Sequence, residues 1–156
     1  DELFMCLALD KDFPIAKQAY IFQDSHLELE IDGAFADDVF APATMDDLST
    51  VQEVCGKFQC NYGELFTYYR GSTLLGIGIL EISKLFDGKA SIGMFTNEKY
   101  RRQGIGRSII LYLKKWCHRH RLEPICGCGY DNGASKRTLE SAGMITKTRL
   151  LKIKVV

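Results

Sequence analysis

The spacing of apolar and polar positions along this chain changes several times, and each change marks an element. Across Ala19–Gln23 and again across His26–Ile31 the pattern is strand-like; in the second run Leu27, Leu29 and Ile31 alternate with His26, Glu28 and Glu30. A period of two predicts two strands, joined here at Asp24-Ser25. Before them, Glu2 to Leu9 reads as a short helix that Phe13-Pro14 breaks. A short strand around Val39 and Phe40 comes next. Thr44 then stands as N-cap to a helix, with Asp46 and Asp47 in the first turn, where the helix dipole favours negative charge. Leu48, Val51, Val54 and Cys55 recur at helical spacing and carry that helix to about Lys57.

From Leu65 the period returns to two. Leu65–Arg70, Thr73–Ser83 and Ala90–Thr96 are rich in Tyr, Thr, Ile and Leu, and turns at Gly71-Ser72 and Asp87-Gly88 separate them. That is the sequence of an antiparallel meander. After Thr96, Ile105, Ile109, Ile110, Leu113, Trp116 and Cys117 form one helical stripe, and Arg107, Lys114 and Lys115 are expected on its exposed face. Pro124–Gly129 reads as a short buried strand. Asp131-Asn132 caps a further helix that ends at Gly143, and Ile145–Val156 closes the chain as one long strand or a strand pair. Strands with interspersed helices predict an α/β fold around a sheet of mixed direction. No repeat or linker-like segment divides it.

Composition narrows the function classes. At 156 residues, 46% hydrophobic and 26% charged, the chain suits a globular domain and excludes a disordered or low-complexity one. No apolar run is long enough for a spanning helix, so no membrane partner is expected. Twenty basic and twenty acidic side chains cancel, which argues against a nucleic-acid coat. The cancellation hides a division: residues 1–64 carry a net charge of −11 and residues 65–156 carry +11. A small anion at the C-terminal half is one reading of this asymmetry, and two oppositely charged surfaces are the other. The six cysteines follow no framework spacing, which points to reduced thiols and a cytoplasmic setting. Cys126 and Cys128 form CxC rather than CxxC, and with Cys117, His118 and His120 they lack zinc-finger spacing, so no metal is expected.

The most informative stretch joins the strand ending at Thr96 to the long helix. It reads Asn97-Glu-Lys-Tyr100-Arg101-Arg102-Gln103-Gly104-Ile105-Gly106-Arg107. N–H groups that open a helix have no internal partners and carry partial positive charge, so this turn suits an anion. Gly104 and Gly106 remove side chains that would hold a phosphate off the backbone, and Arg101, Arg102 and Arg107 add guanidinium groups. The pattern GxxxxGK[ST] is absent, and no GxGxxG follows a first strand.

With Arg101-x-x-Gly104-x-Gly106 in this position, the chain resembles the GNAT superfamily of acetyl-CoA-dependent N-acyltransferases. Phe40–Leu48 is similar to the family's opening strand and capped first helix. Asn132-Gly-Ala-Ser135-Lys136 through Gly143-Met144 is similar to the segment after its fifth strand. The resemblance covers about residues 38–156 and leaves 1–37 as an N-terminal extension packed on that core. It implies a GNAT-like, mixed, mostly antiparallel sheet, splayed between its fourth and fifth strands and flanked by helices.

The resemblance also implies the site. Met94, Phe95 and Thr96 would pair through their backbone with the pantetheine arm of acetyl-CoA. Arg101, Arg102, Gln103, Gly104, Ile105, Gly106 and Arg107 would cradle the diphosphate, and Asn132, Ser135 and Lys136 would add cofactor contacts. The reaction would be direct attack of a primary amine, on a small molecule or peptide, in a ternary complex. Where the family often carries a Tyr acid this chain has Leu139, and Cys126-Gly127-Cys128 occupies the strand where a Glu base can stand. Glu81 and Tyr130 remain as candidate proton carriers, and Cys128 as a candidate nucleophile. The missing acid and base favour an alternative, a noncatalytic acyl-CoA-binding regulatory module. A third reading is an interaction domain whose acidic half meets a basic partner. The acceptor and the oligomeric state stay open, a homodimer included.

Overall fold

The computed structural model describes residues 15–31, 35–56, 64–84 and 86–153. Among these residues seven strands form one sheet: β1 Ile15–Asp24, β2 Asp38–Pro42, β3 Glu64–Arg70, β4 Thr73–Ile82, β5 Lys89–Thr96, β6 Glu123–Gly129 and β7 Met144–Ile153. Three helices flank it: α1 Leu48–Cys55, α2 Ile105–Arg119 and α3 Gly133–Ser141. The strand order is β2-β3-β4-β5-β6-β1-β7, antiparallel except between β5 and β6. This is the mixed, mostly antiparallel α/β sheet with flanking helices that the sequence predicts. The expected helix over Glu2–Leu9 lies outside the described residues.

Residues 15–24 contribute a strand to the interior of the sheet. β1 pairs antiparallel with β6, Tyr20 opposite Cys128 and Phe22 opposite Cys126, and on its other edge with β7, Tyr20 opposite Arg149. Alternation sends Tyr20, Phe22 and Asp24 to the face covered by α2 and α3, where Phe22 and Asp24 are buried.

The second run expected as a strand, His26–Ile31, has no regular secondary structure. The Asp24 carboxylate accepts from the His26 N–H at 3.0 Å, and His26 takes a left-handed φ of 59°. This local bond turns the chain out of the sheet and over α2. Leu29 and Ile31 still face the main core. Their alternation records burial against helices rather than strand pairing.

α2 buries Ile105, Ile109, Ile110, Leu113 and Cys117 against β4, β5 and β6. Its close approach depends on Gly76, because a Cβ there would stand 2.5 Å from the Phe95 carbonyl oxygen and 2.8 Å from Ile109 Cδ1. On the opposite face α1 buries Val51 against Leu74 and Ile77, and Phe95 borders that cluster. Ahead of α1, the Asp47 carboxylate accepts from the Thr44 N–H at 2.7 Å and from its hydroxyl at 3.0 Å.

Lys114 departs from its expected place. It is buried rather than solvated: its ammonium donates to Asp24 Oδ1 at 2.7 Å and to the Ala142 carbonyl at 2.9 Å. A buried ammonium needs such partners, and the anionic one comes from β1, ninety residues away in sequence.

Candidate active site

β5 and β6 run parallel but pair only at Lys89–Glu123, Ala90–Pro124 and Ser91–Ile125. Beyond Ser91 and Ile125 the pairing stops, although β5 runs on to Thr96 and β6 to Gly129, so the ladder has a gap between Ile92–Thr96 and Cys126–Gly129. Asn97 donates its N–H to the Leu75 carbonyl on the β4 side at 2.8 Å. Alternation along an antiparallel ladder then points the N–H and C=O of Phe95 to β4, and those of Met94 and Thr96 into the gap. The Phe95 side chain faces α1.

The open end of the gap leads to the turn before α2. Asn97 fastens this turn: its Nδ2 donates to the Leu74 carbonyl at 2.9 Å and its Oδ1 accepts from the Lys99 N–H at 3.2 Å. Arg102 and Gly104 follow in left-handed backbone, φ 64° and 75°. Turns of this kind make concave nests of N–H groups. The N–H groups of Arg102, Gln103, Gly104, Ile105 and Gly106 donate to no backbone carbonyl among the described residues, and the first helical bond runs from Ser108 to the Gly104 carbonyl. Nothing stands within 4 Å of where a Gly104 Cβ would be, so the nest opens to solvent. Gly106 faces inward instead, its missing Cβ being 3.1 Å from Thr138 and 3.2 Å from Thr96 Oγ1. Five unpartnered amides on the positive end of a 15-residue helix, beside a parted pair of strands, fit a diphosphate with an extended arm.

The charged side chains divide. Arg101 and Arg102 are exposed at the nest, Arg101 pairing with Glu98 at 3.3 Å. The Arg107 guanidinium is directed away from it, donating to the Ser141 carbonyl and to the Glu30 carbonyl, each at 3.0 Å. It ties the segment after β1 to the end of α3. Asn132 caps α3 by accepting from the Ser135 N–H at 3.1 Å. Lys136 lies 4.7 Å from the Tyr20 ring centre and 3.8 Å from Glu140. The sequence carries no signal for the Arg107 tether. Asn97 matches an ordinary turn residue, and only its side-chain amide on β4 marks it as a positioning group.

Glu81 and Tyr130 are not brought together. Glu81 is exposed opposite Ser91, where the gap closes, on the face away from α2. Tyr130 follows the open end of β6 and stacks on Tyr20 at 5.3 Å on the helix face. Five residues of strand, roughly 16 Å, separate their levels. Leu139 is buried in the main core. Burial pushes the Cys126 thiol up to about 12 and also raises that of Cys128, opposite to what a nucleophilic thiolate needs.

A family model described as the acetyltransferase (GNAT) family matches residues 30–144. No curated protein matches the chain in sequence. Among solved structures the chain is similar to a GNAT-family acetyltransferase from Colwellia psychrerythraea, with a TM-score of 0.75 and 20% identity over 96% of this chain and 60% of that one. It is similar to a GCN5-related N-acetyltransferase from Kribbella flavida, with a TM-score of 0.68 and 12% identity over 94% of this chain and 62% of that one. A spermidine N-acetyltransferase chimera from Vibrio cholerae and hSSAT aligns with a TM-score of 0.62 and 12% identity, over 72% of this chain and 83% of that one. The chain spans about three fifths of the length of the first two. Parted strands, a helix-opening nest and a family match over most of the sequence agree: the chain belongs to the GNAT acetyltransferase family.

Proposed function

We propose that the chain transfers an acetyl group from acetyl-CoA to a primary amine by direct attack in a ternary complex. The single observation that carries this reading is the gap beyond Ser91 and Ile125, with five unpartnered amides at its mouth. Acetyl-CoA, when bound, supplies an activated acyl group and a stable thiol leaving group. The amides of Arg102–Gly106 and the α2 dipole hold its diphosphate, with the Arg101 and Arg102 guanidinium groups alongside. Met94 and Thr96 offer backbone partners to the pantetheine amides, as an added strand would. The Met94 N–H is the donor placed to meet negative charge developing on the acyl oxygen. Asn132, Ser135 and Lys136 border the arm from α3.

The amine approaches from the α1 face, since α2 and α3 cover the other. An alkyl ammonium has a pKa of about 10, so a proton must leave before attack. Glu81, exposed on the α1 face at the vertex of the gap, is the proposed acceptor of that proton. Tyr130, on the opposite face and about 16 Å from the level of Glu81, does not share that step, and the thiol leaves as the thiolate and takes its proton from solvent.

Release of free thiol from acetyl-CoA, measured with a panel of amines including spermidine, tests the reading. Amine-dependent release that slows in Glu81→Gln supports it. The buried Leu139, where the family often has an acid, favours a second reading, a noncatalytic acyl-CoA-binding module. That reading predicts saturable acetyl-CoA binding with no amine-dependent thiol release, a result that would overturn the first.

A further inference from the structure

At the far end of α2 from the nest, four side chains from four parts of the fold converge. Asp24 ends β1, His26 lies in the turn after it, His118 is in the last turn of α2, and Glu123 opens β6. Asp24 Oδ2 lies 2.8 Å from His118 Nε2 and 3.9 Å from His26 Nδ1. Among the described residues, Asp24, His26 and His118 each offer a ligand atom within 4.8 Å of the other two. The Asp24 side chain is fully buried, whereas His26 and His118 are 62% and 45% exposed, so the cluster has a closed floor and an open mouth. A cleft of about 630 Å³, lined also by Leu27, Leu29, Leu111 and Lys115, opens beside it.

We propose that Asp24, His26 and His118 form a zinc site that staples the segment after β1 to the end of α2. The ligand set is one carboxylate and two imidazoles, which suits Zn²⁺ with water in the remaining position. Zinc–ligand bonds near 2.1 Å put tetrahedral ligand atoms about 3.4 Å apart. The two separations from Asp24 Oδ2, 2.8 and 3.9 Å, fall on either side of that value, the shorter being a hydrogen bond that an ion would replace.

The surrounding groups orient the ligands. His26 Nε2 lies 3.0 Å from Glu123 Oε1. Glu123 thus stands behind the ring, and Nδ1 is the nitrogen on the Asp24 side, 3.9 Å from Oδ2. A carboxylate behind a ligating imidazole is the common outer partner at zinc sites. Lys114 occupies Asp24 Oδ1 at 2.7 Å and leaves Oδ2 to the histidines. His26 reaches its place through left-handed backbone, and its ring stacks against His118 with centres 6.0 Å apart. The 15-residue α2 separates this cluster from the nest by roughly 20 Å, so the proposed ion lies outside the acyl-transfer chemistry.

The test is titration of Zn²⁺ into metal-stripped, untagged protein, followed by calorimetry and thermal unfolding, with Co²⁺ as a spectroscopic substitute. The expected result is one ion per chain, a raised melting midpoint, and visible Co²⁺ bands without thiolate charge transfer. His26→Ala, an exposed position, and His118→Gln should each weaken binding at least tenfold. Both should keep the metal-free circular dichroism spectrum. Absence of a one-to-one site, full affinity in His26→Ala, or thiolate charge transfer from Cys117 or Cys126 would each overturn the assignment.

Discussion

At Gly104 the backbone sits at φ 75° with open space where a side chain would project. Asparagine tolerates this conformation better than other side chains do, so Gly104→Asn tests the space separately from the backbone. Gly104→Asn should bind CoA at least tenfold more weakly while shifting the melting midpoint by no more than a few degrees; unchanged affinity would place the diphosphate elsewhere. Asp38 offers a test of a different kind. The Arg70 guanidinium at 2.7 Å, helped by the Phe35 N–H and the Tyr68 hydroxyl against the opposing effect of burial, holds its carboxyl down at about 2. A carboxylate lowered on folding stabilises the fold above its ordinary pKa, and that contribution is lost as pH falls through the folded value. Asp38→Asn should therefore lower stability at neutral pH. The gap to the parent should narrow between pH 4 and about 2, as denaturant unfolding at several pH values would show. A gap independent of pH would refute the ion pair's role.

Among the elements, α2 carries the account, because it joins the nest at one end to the Asp24 cluster at the other. Its seat depends on the bare backbone of Gly76, where a methyl would meet the Phe95 carbonyl oxygen at 2.5 Å. Gly76→Ala should cost about 1–3 kcal/mol in denaturant unfolding, since β4 and β5 must shift apart to admit it. A neutral result would mean the helix packs less closely than described. This element also shows what the sequence could reveal. The stripe Ile105, Ile109, Ile110, Leu113 and Cys117 depends only on spacing within one helix, and it predicts the buried face directly. Lys114 depends on Asp24, a partner on a strand ninety residues earlier, so spacing alone places it in solvent. His26–Ile31 misleads for a related reason. Alternation signals one buried side, and a segment lying on helices has one as surely as a strand does. The nest was legible because its glycines and its place before a stripe are local. The Arg107 tether was not, since it ends on backbone carbonyls, which leave no mark in sequence.

Over the whole molecule, the sheet is completed by the first strand among the described residues. β1 separates β6 from β7 and supplies the only strand partner of β7 among the described residues. The family match begins at residue 30, after β1 has ended. A chain truncated to begin at residue 30 should lose the dispersed amide spectrum of the full chain, because β7 would lack a partner and Lys114 its buried counter-ion. A folded truncated chain would show that β1 is dispensable. The gap and the nest, at the other end of the molecule, hold the functional claim, and they are tested together by amide chemical shifts of labelled protein as CoA is added. Saturable shifts are expected at Arg102–Gly106 and at Met94 and Thr96, with His26 and His118 unmoved. Saturable binding that leaves Arg102–Gly106 unshifted would contradict that claim.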